Sequence, residues 1–576
     1  MTVAATARKT DLLPLAILTA FAAAFMAYVT AGAMGVGVDS VDFIAAGENL
    51  AAGKGLMVPS GDADLVPLTH FPPLVSFTVA AAKLARLDAL QFVRWLQVFY
   101  FAGSILLAAL LVRRHARSVW PAVIAGTMLA FTLEMLSHHS LVATEPPYIF
   151  FTLATFYFLD RYVGDPGRPR TTFLLAAALA ASLTFLARYP GIVNAAAGAG
   201  ALLLLGRGSF GRRLGDALVF GLIACVPMGA FMGYNKATAQ NSTNRQFVYH
   251  PIPQWKFRHA KQVFSRWFIP ANIEGIRRAY VLPVLAGGAV CVVVAAALGA
   301  KRRRRHAAAG DADFEFLPED GRGVAPAGTA SPAPAPALAD DPRAVRHFLL
   351  DHALFAGGYL ALVVVSMMFF DAAIQAEGRI LFPVYLSVLL VGAVLTARAL
   401  AGARRAQPAL FGVALLAVAL LVGFKAWSGG KWALTSRDQY KYYTVAPRVG
   451  SRLFEHIRAN PKTTVYSNDI TAIYYLAGHP AYSLPTTVDY NSWVENPKFA
   501  QEMEHLGAHL EKFHGLIVYF APSIIDYRWD MPTLAELRAT FPLRTVLETK
   551  EGVILEWDPT RPRPTTRPKI PFRTPK

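Results

Sequence analysis

Phe21-Ala22-Ala23-Ala24-Phe25-Met26-Ala27-Tyr28-Val29-Thr30 runs on through Ala31-Gly32-Ala33-Met34 into Gly35-Val36-Gly37-Val38-Asp39-Ser40-Val41-Asp42-Phe43. The change inside this stretch decides the fold. An apolar run from Leu12 to Met34, long enough to cross a bilayer, gives way at once to two carboxylates. Asp39 and Asp42 therefore stand at the mouth of a membrane protein. A short helix is expected behind them from Val41 to Ala52, closed by Gly53 and Gly55.

Working outward, the whole chain has the same character. It has 576 residues, 54% of them hydrophobic and only 16% charged, with a mean hydropathy of +0.36. After the first span, further spans are expected near 92–112, 118–136, 146–162, 172–187, 190–206, 214–234, 280–300, 348–370, 380–399 and 408–427, giving about 11 in all. The net charge of +18 is a topological signal. Arg113/Arg114/Arg117, Arg161/Arg168/Arg170, Arg207/Arg212/Arg213, Lys301 to Arg305 and Arg398/Arg404/Arg405 all fall beside apolar runs, as the positive-inside bias requires. No zinc or RNA-binding signature accompanies them, so nucleic acid is excluded as a partner and the bilayer is included. This count leaves the N-terminus cytoplasmic and the C-terminus outside a cell inner (plasma) membrane. Cys225 and Cys291 lie in apolar runs and read as packing residues.

The first external loop, 35–90, also contains Thr69-His70-Phe71-Pro72-Pro73-Leu74, which opens an apolar run too short to span and ending in Lys83 and Arg86. An interfacial helix fits it. The segment 301–347 turns Ala/Pro-rich and reads as a disordered cytoplasmic linker. Beyond the transmembrane domain, 1–427, strands and helices alternate. Helices are expected at Val449–Ala459, Ile470–Ala477, Pro497–Phe513 and Leu534–Thr540, and strands at Thr463–Tyr466, Leu516–Phe520, Thr545–Glu548 and Val553–Trp557. The fold class is thus a polytopic α-helical membrane protein with a C-terminal extracytoplasmic α/β domain over 428–560 and a flexible tail over 561–576.

Ionisable residues within the spans are few, and most stand at outer ends. Glu134, His138, His139 and Glu145 flank one external turn, Arg188 lies at a second, and Glu377 and Arg379 at a third. An outward site lined by carboxylates and arginines suits a substrate with an anionic head and a lipid tail. An Asp can take the proton of an acceptor hydroxyl, and arginines can hold a phosphate leaving group.

The pattern Asp39-Ser40-x-x-Phe43, then Ala46-x-x-Asn49-Leu50-x-x-Gly53-x-Gly55, resembles the first external loop of GT-C class membrane glycosyltransferases. The likeness is nearest to bacterial relatives of the protein O-mannosyltransferases and the aminoarabinose lipid A transferases. Phe71-Pro72-Pro73-Leu74, Thr144-Glu145-Pro146, Arg188-Tyr189, Arg379 before Pro383 and Val465-Tyr466-Ser467-Asn468 extend it. The resemblance implies an inverting enzyme that takes a sugar from a polyprenyl-phosphate-linked donor to a lipid, glycan or protein acceptor on the extracytoplasmic face. It makes Asp39 the catalytic base. Asp42, Glu145, Arg188 and Arg379 are then the substrate-binding residues. Many relatives carry a second acid directly after the first, where this chain has Ser40, so metal dependence stays open: a divalent metal is conceivable but unsupported, and no cofactor is assigned.

Two other readings stand beside this one. Asp39 or Ser40 can simply cap the helix that follows. A transporter or flippase for a lipid-linked or anionic solute is the alternative function, although such proteins more typically show broken helices and midplane charges. Asn241-Ser242-Thr243 matches a glycosylation pattern only.

Overall fold

A computed structural model describes residues 12–116, 118–164, 170–268, 342–406, 408–436, 443–444, 451–521, 528–562 and 570. The first span is α1 (Leu13–Val29). The loop after it carries α2 (Val38–Ala51), a hairpin of β1 (Met57–Pro59) and β2 (Leu65–Pro67), and α3 (Leu74–Leu84). Then come α4 (Ala89–His115), α5 (Trp120–Ala130), α6 (Leu133–His139), α7 (Glu145–Gly164), α8 (Arg170–Ala187), α9 (Ile192–Leu205), α10 (Phe210–Ala239) and α11 (Gln254–Phe268). Three long helices follow: α12 (Pro342–Phe369), α13 (Gly378–Ala406) and α14 (Pro408–Ser436). Every expected span but one falls on a helix; 280–300 lies outside the described residues. The chain is thus a polytopic helical membrane protein. By length and composition, five described helices pass the test for crossing a membrane, within Ala89–His115, Phe210–Ala239, Ala344–Phe369, Gly378–Ala401 and Phe411–Thr435.

Four expectations need correction. The run 118–136 is not one straight span, because α5 and α6 meet at a 58° bend. Thr132 turns its hydroxyl back onto the Met128 carbonyl at 2.7 Å, a bond that competes with the helix ladder, and its own backbone is extended. The carbonyl of Phe131 at this break lies so close to α14 that a Cβ on Gly429 would sit 2.5 Å from it. Second, the first external helix starts at Val38 rather than Val41, with Gly37 at its N-cap. Third, the linker expected over 301–347 lies outside the described residues only as far as 341, and from Pro342 the chain is helical. Fourth, buried ionisable groups also gather at the opposite end of the bundle. There Asp160 pairs with Arg114 and with His115 (2.9 Å), near buried His347, Asp351 and His352.

The C-terminal part carries α15 (Arg452–Ala459), β3 (Val465–Ser467), α16 (Ile470–Ala477), β4 (Tyr482–Ser483), α17 (Phe499–Phe513), β5 (Leu516–Phe520), α18 (Leu534–Thr540), β6 (Leu543–Glu548) and β7 (Gly552–Trp557). Its strands form one sheet in the order β4-β3-β5-β7-β6, with β3 parallel to β4 and β5 and the rest antiparallel. One layer of apolar side chains, with Met503, Leu510, Ile517 and Leu555, is internal to this domain. A second joins Phe454, Ile473, Val518 and Ile554 to Met34, Val41, Phe43, Val75 and Val79 of the first external loop. The C-terminal sheet and the loop bearing Asp39 therefore share a core and lie at the same end of the bundle.

Candidate active site

Local chemistry fixes α2 at both ends. The amide of Gly37 donates to Ser40 Oγ (3.0 Å), and Ser40 Oγ donates to the Val142 carbonyl (2.7 Å). Gly35 adds two backbone bonds to the same turn, to Ser140 and Val142. At the other end Lys54 N reaches Asn49 O (2.9 Å) and Gly53 N reaches Leu50 O (3.0 Å), a closure that needs the positive φ of Gly53 (77°). In the middle, a Cβ on Gly47 would lie 2.5 Å from the Val79 Cβ, so a glycine here lets α2 and α3 cross closely. The Ser140–Val142 turn that α2 grips leads within three residues to Glu145.

This grip frees Asp39 from capping. It sits in the first turn of α2, where its charge suits the helix dipole, and its side chain turns elsewhere. Arg379, near the start of α13, donates from a terminal nitrogen to Asp39 Oδ2 (2.9 Å) and from Nε to Glu145 Oε1 (2.5 Å). Arg188, after α8, donates to the same Oε1 (2.9 Å) and lies 5.9 Å from the Tyr148 ring. Glu145 is 3% exposed, whereas Asp39 and Arg379 each keep 38% of their side chains open to solvent. Four of the five sequence-derived candidates therefore form one chain of ion pairs, Arg188–Glu145–Arg379–Asp39.

The fifth, Asp42, stands one turn beyond Asp39 on the same face of α2. Burial, and then the neighbouring charge of Asp39, push its carboxyl up to about 8. Asp42 is thus held toward its neutral, hydrogen-bond-donating form beside an ion-paired carboxylate.

Other residues at the site have no signal in the sequence pattern. Arg245 pairs with Asp371, donates to Asn491 Oδ1 (3.2 Å) and lies 3.3 Å from His70 Nε2. Because a guanidinium has no acceptor, His70 Nε2 must accept and the ring proton sits on Nδ1. Burial, and then Arg245, hold His70 down to about 4, against the opposing charge of Asp39. Three segments far apart in sequence, at His70, Arg245 and Asp371, thus meet Asn491 of the C-terminal part. His138, on α6, is buried next to this network with Nε2 unpartnered. Among the described residues, no group of three or more His, Cys, Asp or Glu has the geometry to hold a metal ion.

Beside the site is an apolar cleft of about 370 Å³ between the end of α2, α3, α8 and α10. Leu50, Leu56, Phe77, Leu186, Phe231 and Tyr234 line it. Leu186 stands two residues before Arg188 in the chain.

Comparison with known proteins bears on the fold. A profile of the family described as dolichyl-phosphate-mannose-protein mannosyltransferase matches residues 63–205, about a quarter of the chain. The match begins after Asp39 and includes Glu145 and Arg188. No curated protein sequence matches. Among solved structures, apo ArnT from Cupriavidus metallidurans is similar over 96% of this chain and 98% of its own, at 14% identity and a TM-score of 0.51. The archaeal oligosaccharyltransferase AglB from Archaeoglobus fulgidus, solved with an inhibitory peptide and a dolichol-phosphate, covers 92% of this chain and 72% of its own at 12% identity and a TM-score of 0.48. The S. cerevisiae protein O-mannosyltransferase Pmt1-Pmt2 complex, solved with its sugar donor, covers 42% and 36% at 15% identity and a TM-score of 0.31. The chain shares the fold of ArnT and resembles the GT-C class of membrane glycosyltransferases.

Proposed function

We propose that the protein is an integral membrane glycosyltransferase that moves a sugar from a polyprenyl-phosphate-linked donor to an acceptor hydroxyl on the extracytoplasmic face, with inversion. The observation that carries this reading is the single network Arg188–Glu145–Arg379–Asp39. It joins a part-exposed carboxylate to two arginines, Arg379 directly and Arg188 through the buried Glu145, and displacement of a phosphate by an alcohol uses both kinds of group. Asp39 takes the proton of the acceptor hydroxyl as its oxygen bonds to the anomeric carbon. The carbon–oxygen bond to phosphate breaks, and its electron pair leaves on the polyprenyl phosphate. Arg379 and Arg188 stabilise that charge. Glu145 accepts from both arginines at one oxygen, so it fixes their positions, and Asp42 offers its proton to the sugar or acceptor. The apolar cleft beside Leu186 takes the polyprenol.

In this reading the bundle has about 11 spans, with the N-terminus cytoplasmic and residues 428–560 outside a bacterial plasma membrane, where they shape the acceptor side. The chemistry drawn uses only side chains of this chain. Incubating the purified protein with a panel of polyprenyl-phosphate sugars tests it. The expected result is release of polyprenyl phosphate and a product of opposite anomeric configuration. A retained configuration, or movement of the donor across vesicles without turnover, would count against it.

A further inference from the structure

The turn Asp489–Val494 of the C-terminal part meets Arg245 of the site, and it is held by bonds from within and from the helical part. Trp493 N donates to Asp489 O (2.8 Å), Asp489 N to Val494 O (2.9 Å), and Ser492 N and Oγ both donate to Asp489 Oδ1 (2.7 Å each). The membrane part holds it from below. Ala372 N donates to Asn491 O (2.7 Å), Arg245 to Asn491 Oδ1, and His250 Nε2 to Ser492 O (2.7 Å).

These bonds hold Trp493 at a φ of +52°. A bulky residue in the left-handed region is strained, and persists only where its surroundings over-determine it. Glycine or asparagine would close the same turn at lower cost, so the strain points to a need for the indole. Trp529 meets it at 6.1 Å with the ring planes at 90°, and Tyr490 lies 6.2 Å from Trp529 at 32°. Lys256 Nζ, anchored on the Ala372 carbonyl (2.6 Å), stands 5.1 Å from the Trp493 ring. Arg528, locked onto Asp530 by bonds of 2.8 and 2.6 Å, lies 5.6 Å from the Tyr490 ring.

The three rings are not core packing. Tyr490 is 44% exposed, and both indoles are half-buried. They make two walls at right angles, rimmed by fixed polar groups at Asp489, Asn491 and Arg528. A sugar ring fits such a corner because it offers apolar C–H faces to the indoles and hydroxyls to the rim.

We propose that Tyr490, Trp493 and Trp529 form the acceptor subsite, and that the acceptor presents a carbohydrate there. This rests on the transferase reading above. The platform joins the site through Asn491, which Arg245 bonds, and Arg245 in turn lies 3.3 Å from His70 Nε2.

The test uses the full-length protein in lipid nanodiscs. Tryptophan fluorescence is followed during titration with cellotetraose, chitotetraose and tetragalacturonate, with a Ser/Thr tetrapeptide as the protein-type probe. At least one oligosaccharide is expected to give a saturable change, weakened by about tenfold or more in Trp529→Ala and in Tyr490→Ala. The exposed Tyr490 makes the second variant safe for folding, checked by an unaltered melting curve. No oligosaccharide binding to the unaltered protein, equal binding by both variants, or binding of the peptide alone would overturn the proposal. A separate arm measures release of polyprenyl phosphate by the unaltered protein. Its failure with sugar binding intact would sink the transferase reading and leave the carbohydrate site standing.

Discussion

Arg379 donates to Asp39 at 2.9 Å across 340 positions of sequence, and by its Nε it also holds the buried Glu145. One guanidinium thus fixes the distance between an exposed carboxylate and a buried one. Lysine has a point charge and no planar fork, so it cannot serve both partners at once. Arg379→Lys is expected to lower turnover by about 10²–10³-fold with the protein still folded. Sugar-transfer kinetics beside a melting curve check this, and a Lys variant within threefold of the parent would contradict the bridging role.

Glu145 accepts from Arg188 and Arg379 at the same oxygen with 3% of its side chain exposed. Glu145→Gln keeps the shape but leaves Arg188 without its counter-charge and Arg379 with Asp39 alone. Breaking such a buried pair costs about 3–5 kcal/mol. The expected outcome is a lower melting temperature in nanodiscs, with part of the loss restored by adding Arg188→Met.

Asp42 gives the pH dependence its sign. Its carboxyl is raised from 3.8 to about 8 by burial and by Asp39, so the folded protein holds a proton that the unfolded chain has released. The stability this represents is complete below about pH 4 and is lost as pH rises through about 8. Melting temperatures of the parent and of Asp42→Asn should therefore diverge in favour of the Asn variant between pH 5 and about 8.5. A constant difference across that range would mean that Asp42 is ionised in the fold.

Arg245 ties Asp371 and Asn491 together. Arg245→Ala is expected to speed hydrogen exchange in two places, at 371–374 and at 489–494, and to leave the β3–β5–β7 strands protected. Unchanged exchange at 489–494 would show that the other bonds hold the turn alone.

The sequence made some of this site legible and not the rest, for physical reasons. Asp39, Glu145, Arg188 and Arg379 stand out because each is an ion at the end of an apolar run, where burial alone would exclude it. The helices Ile470–Ala477 and Leu534–Thr540 and the strand Leu516–Phe520 were readable to the residue from their periodicity. His70, Arg245, Asp371 and Asn491 lie in loops without periodicity, and the folded chain brings them together from four separate segments. The 58° break after Ala130 is equally silent, since a threonine back-bond leaves the apolar run uninterrupted. The capping reading of Asp39 was locally sound, and it fails because Gly37 and Ser40 already do that work.

The most direct test of the account is Asp39→Asn, assayed for transfer from a polyprenyl-phosphate sugar at matched protein levels. Asparagine keeps the size of the side chain and its bond to Arg379 but cannot accept a proton. Turnover is predicted to fall by about 10²–10⁴-fold with donor affinity nearly unchanged. Full transfer activity in Asp39→Asn would contradict the assignment of Asp39 as the base.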